Sequence, residues 1–399
     1  MSERKSTDTA MSKVPSGRLP DPPAFMTDAV CLPSSAYVDD GFFALEVQHC
    51  FREGWVSIGT AHQLPSPGDV LTVEIAGEPL LITRDKQGAI RVFYNICRHR
   101  GVKLVDGDKV TRCGPGILSC PYHKWAYKLD GTLAVTPYWD GSNGSRPDDE
   151  TRSRLGLLEV RSAVWSDIIF INLSGGGEPF ESFIAPLEDR WKSFDRSLMR
   201  ITNTYSYDVS ANWKLACENF LDTYHVPWVH RQLGGADAMF RDLHYTYLSK
   251  YIFGFVMPHF DRGRDEMDVP PGMFPDRAAP FDYALDLIYV FPNTLLITTP
   301  GWFQSISLFP LAPGRTRELL AGYVVGDAMM TDEWKTYRAE LDAVLDQVNA
   351  QDIEILELLQ EGRKTAKAGE GQYAVYWDHL CEYLSQRVRE KVAQASGGE

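Results

Sequence analysis

The chain has 399 residues, of which 44% are hydrophobic and 24% are charged, and this balance excludes disordered, fibrous and collagen-like proteins. Its 54 acidic residues outnumber 40 basic ones and give a net charge of −14, which argues against nucleic acid and anionic membranes as partners. The sequence has no run of about 18 apolar residues, so no segment is predicted to span a bilayer.

The first predicted segment, residues 1–44, is a polar, proline-rich tail followed by a lead-in helix. Because residues 1–25 lack the apolar stretch of a secretory signal, we expect a cytoplasmic protein. Residues 45–175 show short apolar runs separated by turn signals, which indicates antiparallel β-structure, with a hairpin turn at residues 85–88. A glycine run near residue 175 predicts a domain boundary.

The second predicted domain, residues 176–399, mixes helical periods with strand-like runs. The pattern predicts helices at 183–200 and 212–225, strands within 245–325, and helices at 331–362 and 372–393. A β-rich module followed by a module of sheet and helices gives the fold class α+β.

Two cysteine–histidine pairs stand out in the first domain. Cys97 and His99 are separated by one residue and Cys120 and His123 by two, with twenty residues between the pairs. Two thiolates and two imidazoles can hold a tetrahedral zinc ion, or a [2Fe–2S] cluster of the Rieske kind with cysteines on one iron and histidines on the other. The one-residue spacing of the first pair is shorter than zinc fingers use, which favours the cluster. Two unrelated structural pairs are the remaining alternative.

Seven cysteines, an odd number in a large chain, argue against a disulfide framework and point to metal or redox chemistry. Cys113 lies between the two pairs and competes with Cys120 as a ligand. Because Gly116, not a histidine, follows it three residues later, Cys113 is predicted to be a loop or packed thiol.

A second group of ligand residues follows in the stretch NWKLACENFLDTYHVPWVH. Asp222 and His225 are three apart and would share one face of a helix. Pro227 disfavours helix at the residue before it, so the chain is predicted to turn after His225 and bring His230 back to the same point. Two histidines placed this way form two-thirds of a 2-His-1-carboxylate site for Fe(II). The alternative is that both are ordinary core histidines.

The third ligand is predicted from the periodicity of the helix at 331–362. Asp352 falls on an apolar stripe made of Leu341, Val344, Leu345, Val348, Ile355, Leu356 and Leu359. An unpaired carboxylate is costly to bury, whereas a metal ligand is compensated. Asp352 is therefore predicted to bind the metal, with the partner of a buried arginine as the alternative. Glu354 and Glu361 are predicted to be solvated.

The block CRHRG…CPYHKWAYKLDG closely resembles the cluster-binding signature of Rieske proteins, although Lys124 stands where glycine is typical and the loop between the pairs is longer than usual. DxxHxxxxH after NWKxxxEN, downstream of that signature, resembles the catalytic (alpha) subunit of Rieske non-haem iron oxygenases, from about Phe51 to the final helix. This resemblance implies a Rieske [2Fe–2S] β-domain followed by a helix-grip (START/SRPBCC-like) catalytic domain with an antiparallel sheet and C-terminal helices.

The resemblance also implies an activity and its partners. NAD(P)H would supply electrons through a separate reductase, with or without a ferredoxin, to the [2Fe–2S] cluster and then to mononuclear Fe(II), where O2 reacts with a small organic substrate. Asp222 would link His225 to the neighbouring subunit's cluster at His123, which implies a homotrimer with inter-subunit electron transfer. Asn219, one turn before Asp222, is predicted to orient the site or to be a plain polar helix residue.

The substrate pocket is predicted to draw aromatic residues from the strands at 251–310 and from the segment after His230. Such residues suit an apolar or aromatic substrate, as in aromatic hydrocarbon catabolism, or a cation–π cage for a quaternary ammonium compound, although each could instead be core. They are Phe240, Tyr251, Phe253, Phe255, Tyr289, Phe291, Trp302 and Phe303.

The C-terminal half resembles the homotrimeric branch that includes choline and glycine-betaine oxygenases as well as aromatic-ring-hydroxylating enzymes. The expected product is hydroxylated, cis-dihydroxylated or dealkylated. Three function classes stay open from the sequence: a terminal oxygenase, which is favoured, a Rieske electron-transfer protein without oxygenase activity, and a zinc-stabilised binding protein.

Overall fold

The computed structural model describes residues 31–107, 110–113, 116–233, 243–257, 285–299 and 301–393. Two short helices begin it, where the lead-in helix was expected, and a π-helical turn follows them directly. The α-helices are α1 (Ser35–Val38), α2 (Asp40–Glu46), α3 (Asp149–Arg154), α4 (Phe180–Arg190), α5 (Trp213–Leu221), α6 (Val226–Val229), α7 (Lys335–Arg363) and α8 (His379–Ala393). None of these described helices is both long enough and apolar enough to cross a bilayer.

The strands form three small antiparallel sheets and one large one. They are β1 (Val56–Thr60), β2 (Asp69–Ile75), β3 (Glu78–Arg84), β4 (Ile90–Tyr94), β5 (Thr111–Arg112), β6 (Ile117–Ser119), β7 (Ala126–Lys128), β8 (Leu133–Val135), β9 (Arg161–Trp165), β10 (Ile168–Asn172), β11 (Met199–Val209), β12 (His244–Tyr247), β13 (Ile252–Met257), β14 (Leu285–Val290), β15 (Thr294–Thr298), β16 (Trp302–Ala312) and β17 (Arg315–Val325).

The first half of the chain contains the three small sheets, ordered β1-β10-β9, β4-β3-β2-β5 and β6-β7-β8. Strands β3 and β4 form the predicted hairpin. Its turn is held by Asp85, whose carboxylate accepts the backbone N–H groups of Gln87 and Ala89, both at 2.9 Å. The hairpin prediction is confirmed. The two cluster-signature loops leave this region after β4 and after β6.

The second half is built on a seven-stranded antiparallel sheet in the order β11-β17-β16-β15-β14-β13-β12. Successive residues of a strand point to opposite faces, and here both faces are covered. Phe253 and Tyr289 pack with Trp213 of α5 on one face. Ile288 and Val290 pack with Leu187 of α4 on the other face. The strands are therefore apolar almost throughout.

The two halves share a hydrophobic core and a buried polar link. The side chain of Asn293, between β14 and β15, accepts the N–H of Ser57 on β1 at 2.9 Å. Its amide donates to the carbonyl oxygens of Ser57 at 2.9 Å and of Leu308 at 3.0 Å. A division into residues 1–44, 45–175 and 176–399 stays a prediction.

All four helices predicted in the second domain have different bounds in the structure. The helix predicted at 331–362 spans Lys335–Arg363. The helix predicted at 183–200 ends at Arg190, and β11 already begins at Met199. The helix predicted at 212–225 ends at Leu221, because the carboxylate of Asp222 accepts the backbone N–H of Tyr224 at 2.6 Å and so competes with the helical bond. The last helix begins at His379 instead of residue 372.

Candidate metal centres

The two cluster-signature loops have the same backbone turn. The N–H of Gly101 donates to the carbonyl of Cys97 at 2.9 Å, and the N–H of Lys124 donates to the carbonyl of Cys120 at 3.1 Å. Both closing residues are left-handed, with φ of +74° at Gly101 and +61° at Lys124. Lys124 therefore adopts the conformation for which glycine is favoured, and its departure from the Rieske pattern leaves the loop shape unchanged.

The four predicted cluster ligands are split between interior and surface. Cys97 and Cys120 are 2% and 1% exposed. His99 and His123 are exposed, with their ring centroids 4.7 Å apart, and His99 stacks on Trp125. Paired thiols inside and paired imidazoles outside fit a dinuclear cluster with one sulfur-ligated and one nitrogen-ligated iron.

The other cysteines do not alter this arrangement. Cys113 packs against the same small core as Cys97, as a packed thiol should. All seven cysteines lie in the described part of the chain, and none forms a disulfide.

Tyr127 contacts the first cluster-signature loop. Its hydroxyl lies 3.3 Å from Cys97 Sγ and also accepts the backbone N–H of Arg98 at 3.0 Å.

Beneath the large sheet, the structure brings together the three predicted ligands of the mononuclear site. Asp352 Oδ1 lies 3.4 Å from His225 Nε2 and 3.0 Å from His230 Nε2. One potential ligand atom from each residue lies within 4.8 Å of the others. His225 precedes α6, His230 follows it, and Asp352 lies on α7.

The route by which the chain reaches this geometry differs from the prediction. Asp222 and His225 do not share a helix, because α5 ends at Leu221 and the chain turns before His225. Pro227 lies in the first turn of α6, a position that tolerates proline, and does not break a helix after His225. The turn still places Asp222 Oδ2 3.2 Å from His225 Nδ1.

Each of the three converging side chains is held by a neighbour. Asp222 contacts His225 through Nδ1, Gln351 Oε1 lies 2.9 Å from His230 Nδ1, and Asn219 Nδ2 donates to Asp352 Oδ1 at 3.2 Å. Such contacts fix the orientation of metal ligands. Gln351 was missed by the sequence reasoning, and its position directly before Asp352 was the available signal.

The charges around His225 and Asp352 favour the binding of a positive charge. Burial lowers the pKa of His225, but hydrogen bonds to Asp222 and Asp352 outweigh burial and raise that pKa to about 9. Burial raises the pKa of Asp352, but hydrogen bonds to His225 and His230 outweigh it and lower that pKa. Two imidazoles and a carboxylate that attract a cation fit a 2-His-1-carboxylate iron site.

A cavity of about 310 Å³ adjoins the three residues. Its described wall is mainly aliphatic, includes the carboxylates of Asp222, Glu318 and Asp352, and contains no lysine or arginine. The wall also contains Ala216, Asn219, Phe220, Thr223, His225, Val226, His230, Gln232, Leu233, Phe255, Met257, Leu285, Leu287, Leu295, Ile297, Trp302, Gln304, Ile306, Leu320, Val344, Leu345, Val348, Asn349 and Leu356.

Most of the predicted aromatic lining is wrong. Of the described residues proposed for it, only Phe255 and Trp302 line the cavity. The others pack in the core on either face of the sheet, namely Tyr251, Phe253, Tyr289, Phe291 and Phe303. Phe240 lies outside the described residues.

The stripe prediction on the long helix holds near the cavity but fails beyond it. Val344, Leu345, Val348 and Leu356 line the cavity beside Asp352. Leu359 is 41% exposed, because the buried face of the helix continues through Gln360, which is 6% exposed, and not through Leu359. Glu354 and Glu361 are exposed, as predicted.

Glu318 is a second residue that the sequence reasoning missed. It lies on β17 in the cavity wall and is 4% exposed. The alternation of β17 contained the signal, because Glu318 falls in phase with the buried Thr316 and Leu320.

Comparisons with known proteins agree with this architecture. The family "Rieske [2Fe-2S] domain" matches residues 54–143, and "Ring hydroxylating alpha subunit (catalytic domain)" matches residues 197–394. The chain is 28% identical to choline monooxygenase of Spinacia oleracea over 89% of this chain and 76% of that protein. It is 25% identical to the carnitine monooxygenase oxygenase subunit of Escherichia coli K12 over 85% of each.

A solved structure of a quaternary ammonium Rieske monooxygenase, described as giving insight into carnitine oxidation and inter-subunit electron transfer, has a similar fold. Its TM-score is 0.71 at 19% identity, over 91% of this chain and 96% of that one.

Proposed function

Because the chain belongs to the Rieske non-haem iron oxygenases, as their catalytic (alpha) subunit, we propose that it oxidises a cationic amine at a carbon bonded to nitrogen or nearby. The observation that carries this substrate class is the cavity wall, which has three carboxylates and no lysine or arginine among its described residues. The names of its relatives, which act on choline and carnitine, support the same class.

The reaction follows from the enzyme class. As the terminal oxygenase component, the enzyme uses O2 and electrons that reach it from NAD(P)H through a reductase. In a monooxygenation, a C–H bond, O2, two electrons and two protons give a C–OH group and water. Hydroxylation of an N-methyl group yields a carbinolamine that releases formaldehyde, and hydroxylation of an alcohol carbon yields an aldehyde hydrate. We also propose that the enzyme works in the cytoplasm.

The metal ligands are assigned as part of this proposal. Cys97 and Cys120 would hold one iron of the [2Fe–2S] cluster, and His99 and His123 the other. The mononuclear Fe(II) would be held by His225, His230 and Asp352. The cluster supplies electrons one at a time, and the mononuclear iron activates dioxygen. The support is the donor chemistry of the two groups and the convergence of the second within 4.8 Å.

The remaining side chains of the site position and shield it. Asp222 accepts the Nδ1 proton of His225 and Gln351 accepts that of His230, so the Nε2 lone pairs are directed towards the point beside Asp352. Asn219 fixes Asp352 Oδ1 by donating to it. The aliphatic wall of the cavity excludes water from the reacting carbon.

We further propose that three copies assemble head to tail, so that each Rieske half meets the catalytic half of the next copy. Exposed aromatic side chains lie beside the exposed His123 and beside Asp222, which suits two complementary contact surfaces. They are Tyr122 (56% exposed) and Trp139 (42%) near the first, and Tyr224 (44%) and Trp228 (49%) near the second.

A second candidate substrate is an uncharged aromatic or apolar compound. The largely aliphatic lining of the cavity favours it. The two candidates differ at Glu318, because an uncharged compound would leave this buried carboxylate without a counter-charge.

Oxygen uptake by the holoenzyme with a surrogate reductase tests the proposal. We expect substrate-dependent O2 consumption and NADH oxidation with choline or related N-methylated cations, and not with naphthalene. Asp352→Ala should abolish both while the [2Fe–2S] spectrum stays intact. O2 uptake with naphthalene alone would favour the uncharged substrate class over the cationic one. Purified protein that contains zinc instead of iron and sulfide would contradict the proposal that this chain is an oxygenase.

A further inference from the structure

Glu318 is a buried carboxylate on the cavity wall that the assigned metal chemistry does not use. It is 4% exposed and lies on β17, opposite Leu308 on β16 and Tyr207 on β11. One polar contact holds it: Asn349 Nδ2 on α7 donates to Glu318 Oε2 at 3.3 Å.

The charges around Glu318 do not balance it. No lysine, arginine or histidine in the described part of the chain lies within ion-pair distance of its carboxylate. The neighbouring Arg317 points to the other side and pairs with Asp208. Burial and the nearby Asp352 raise the pKa of Glu318 to about 7, against the opposing effect of Asn349. A buried carboxylate without a counter-ion is costly to ionise, so a positive charge in the cavity would favour its ionised form.

The position of Glu318 relates that charge to the proposed iron site. Its partner Asn349 precedes Asp352 by three residues, which is about one turn of α7, or about 5 Å along the helix axis. Both residues line the same cavity, as do the aromatic rings of Phe255 and Trp302. A cation near Glu318 would therefore lie in the same cavity as the three converging ligands.

We propose that Glu318 recognises the positive charge of the substrate and selects a cationic amine over an uncharged molecule of the same shape. This inference rests on the proposed function and names the residue that determines its substrate class. The carboxylate attracts the cation through the low-dielectric wall. The aliphatic remainder of the wall contacts the methyl groups.

Calorimetric titration of the holoenzyme with choline and with its uncharged carbon isostere, 3,3-dimethylbutan-1-ol, tests this assignment. We expect choline to bind the wild type at least tenfold more tightly than the isostere. Glu318→Gln should weaken choline binding at least tenfold and leave the isostere unchanged, since glutamine keeps the acceptor for Asn349. The matched control is Glu340→Gln, which removes the same charge from an exposed position on α7 and should leave both dissociation constants unchanged.

The outcomes separate this inference from the proposed function. If choline binds and is oxidised but Glu318→Gln binds it as the wild type does, the role of Glu318 is wrong and the substrate class stands. If Glu318→Gln weakens both ligands equally, Glu318 only shapes the cavity, and the inference again fails. If the wild type does not prefer choline over the isostere, the cationic substrate class falls together with the role of Glu318.

Discussion

Replacing Gln351 by leucine should weaken iron binding while leaving the fold and the Rieske cluster intact. The side-chain oxygen of Gln351 accepts from His230 Nδ1 at 2.9 Å. His230 is only 2% exposed, so water has no room to replace the lost acceptor. The same oxygen accepts from Gln232 at 2.8 Å, but Gln232 is exposed and water can take over that bond.

The size of the effect follows from the stranded N–H group. A buried donor left without a partner costs about 1–3 kcal/mol. Since about 1.4 kcal/mol corresponds to a tenfold change in affinity, the expected loss is roughly 5- to 150-fold. Loss of a residue that orients a metal ligand typically costs about 10- to 100-fold in affinity or activity. We therefore expect the iron affinity of the mononuclear site to fall by about 10- to 100-fold.

Iron retention during dialysis against graded concentrations of a ferrous chelator measures this change, with acid-labile sulfide as the internal standard for the cluster. Gln347→Leu is the matched control, because it makes the same replacement at an exposed position one turn earlier on α7. Gln351→Glu should retain iron, since a carboxylate also accepts from Nδ1. Wild-type retention by Gln351→Leu, or an equal loss in Gln347→Leu, would refute the reasoning.

Three further changes test other parts of the molecule. Asp222→Asn should reduce turnover at least tenfold with both metal sites filled, as seen by metal analysis and oxygen uptake, and undiminished turnover would contradict its bridging role. Tyr127→Phe removes a polar contact to Cys97 Sγ and should lower the reduction potential of the cluster. Each 1 kcal/mol by which the reduced state is destabilised lowers the potential by roughly 40 mV, which redox titration with EPR measures. Asn293→Ala should lower the free energy of unfolding by about 3 kcal/mol or more, because it leaves buried backbone groups without hydrogen-bond partners. Asn143→Ala, on an exposed turn, is the control and should change the free energy of unfolding little in denaturant titrations.

The mononuclear site could be predicted from the sequence because the buried face of a helix shows in the periodicity of its apolar residues. Asp352 interrupts an apolar stripe, and a carboxylate there needs a positive partner, whatever the details of the fold. The predicted contact of Asp222 with His225 is present, yet through a different backbone. A helix places residues three apart together, but so does the turn that begins when Asp222 bonds the N–H of Tyr224. Spacing alone does not distinguish the two.

The cavity lining was predicted poorly because both faces of the large sheet are buried. In a half-exposed strand, polar residues mark the outer face, but Phe253 and Ile252 on β13 are equally buried on opposite sides. Alternation then identifies two faces without saying which one borders a cavity. Gln351 and Glu318 were missed for a related reason: their importance depends on partners far away in sequence, His230 and Asn349, that only the folded chain brings near.

The bond that Asn293 makes across to β1 bears on how this protein could be re-engineered. Chimaeras that exchange electron-transfer modules between related enzymes join two surfaces that evolved separately. In this chain the Asn293 amide hydrogen-bonds both the N–H and the carbonyl of Ser57. A grafted β1 must therefore place both backbone groups of that residue correctly. A graft that shifted that strand by one residue would turn its side chains to the opposite face and remove both bonds of the amide to Ser57. Module swaps should therefore carry β1 and the loop of Asn293 as a single unit.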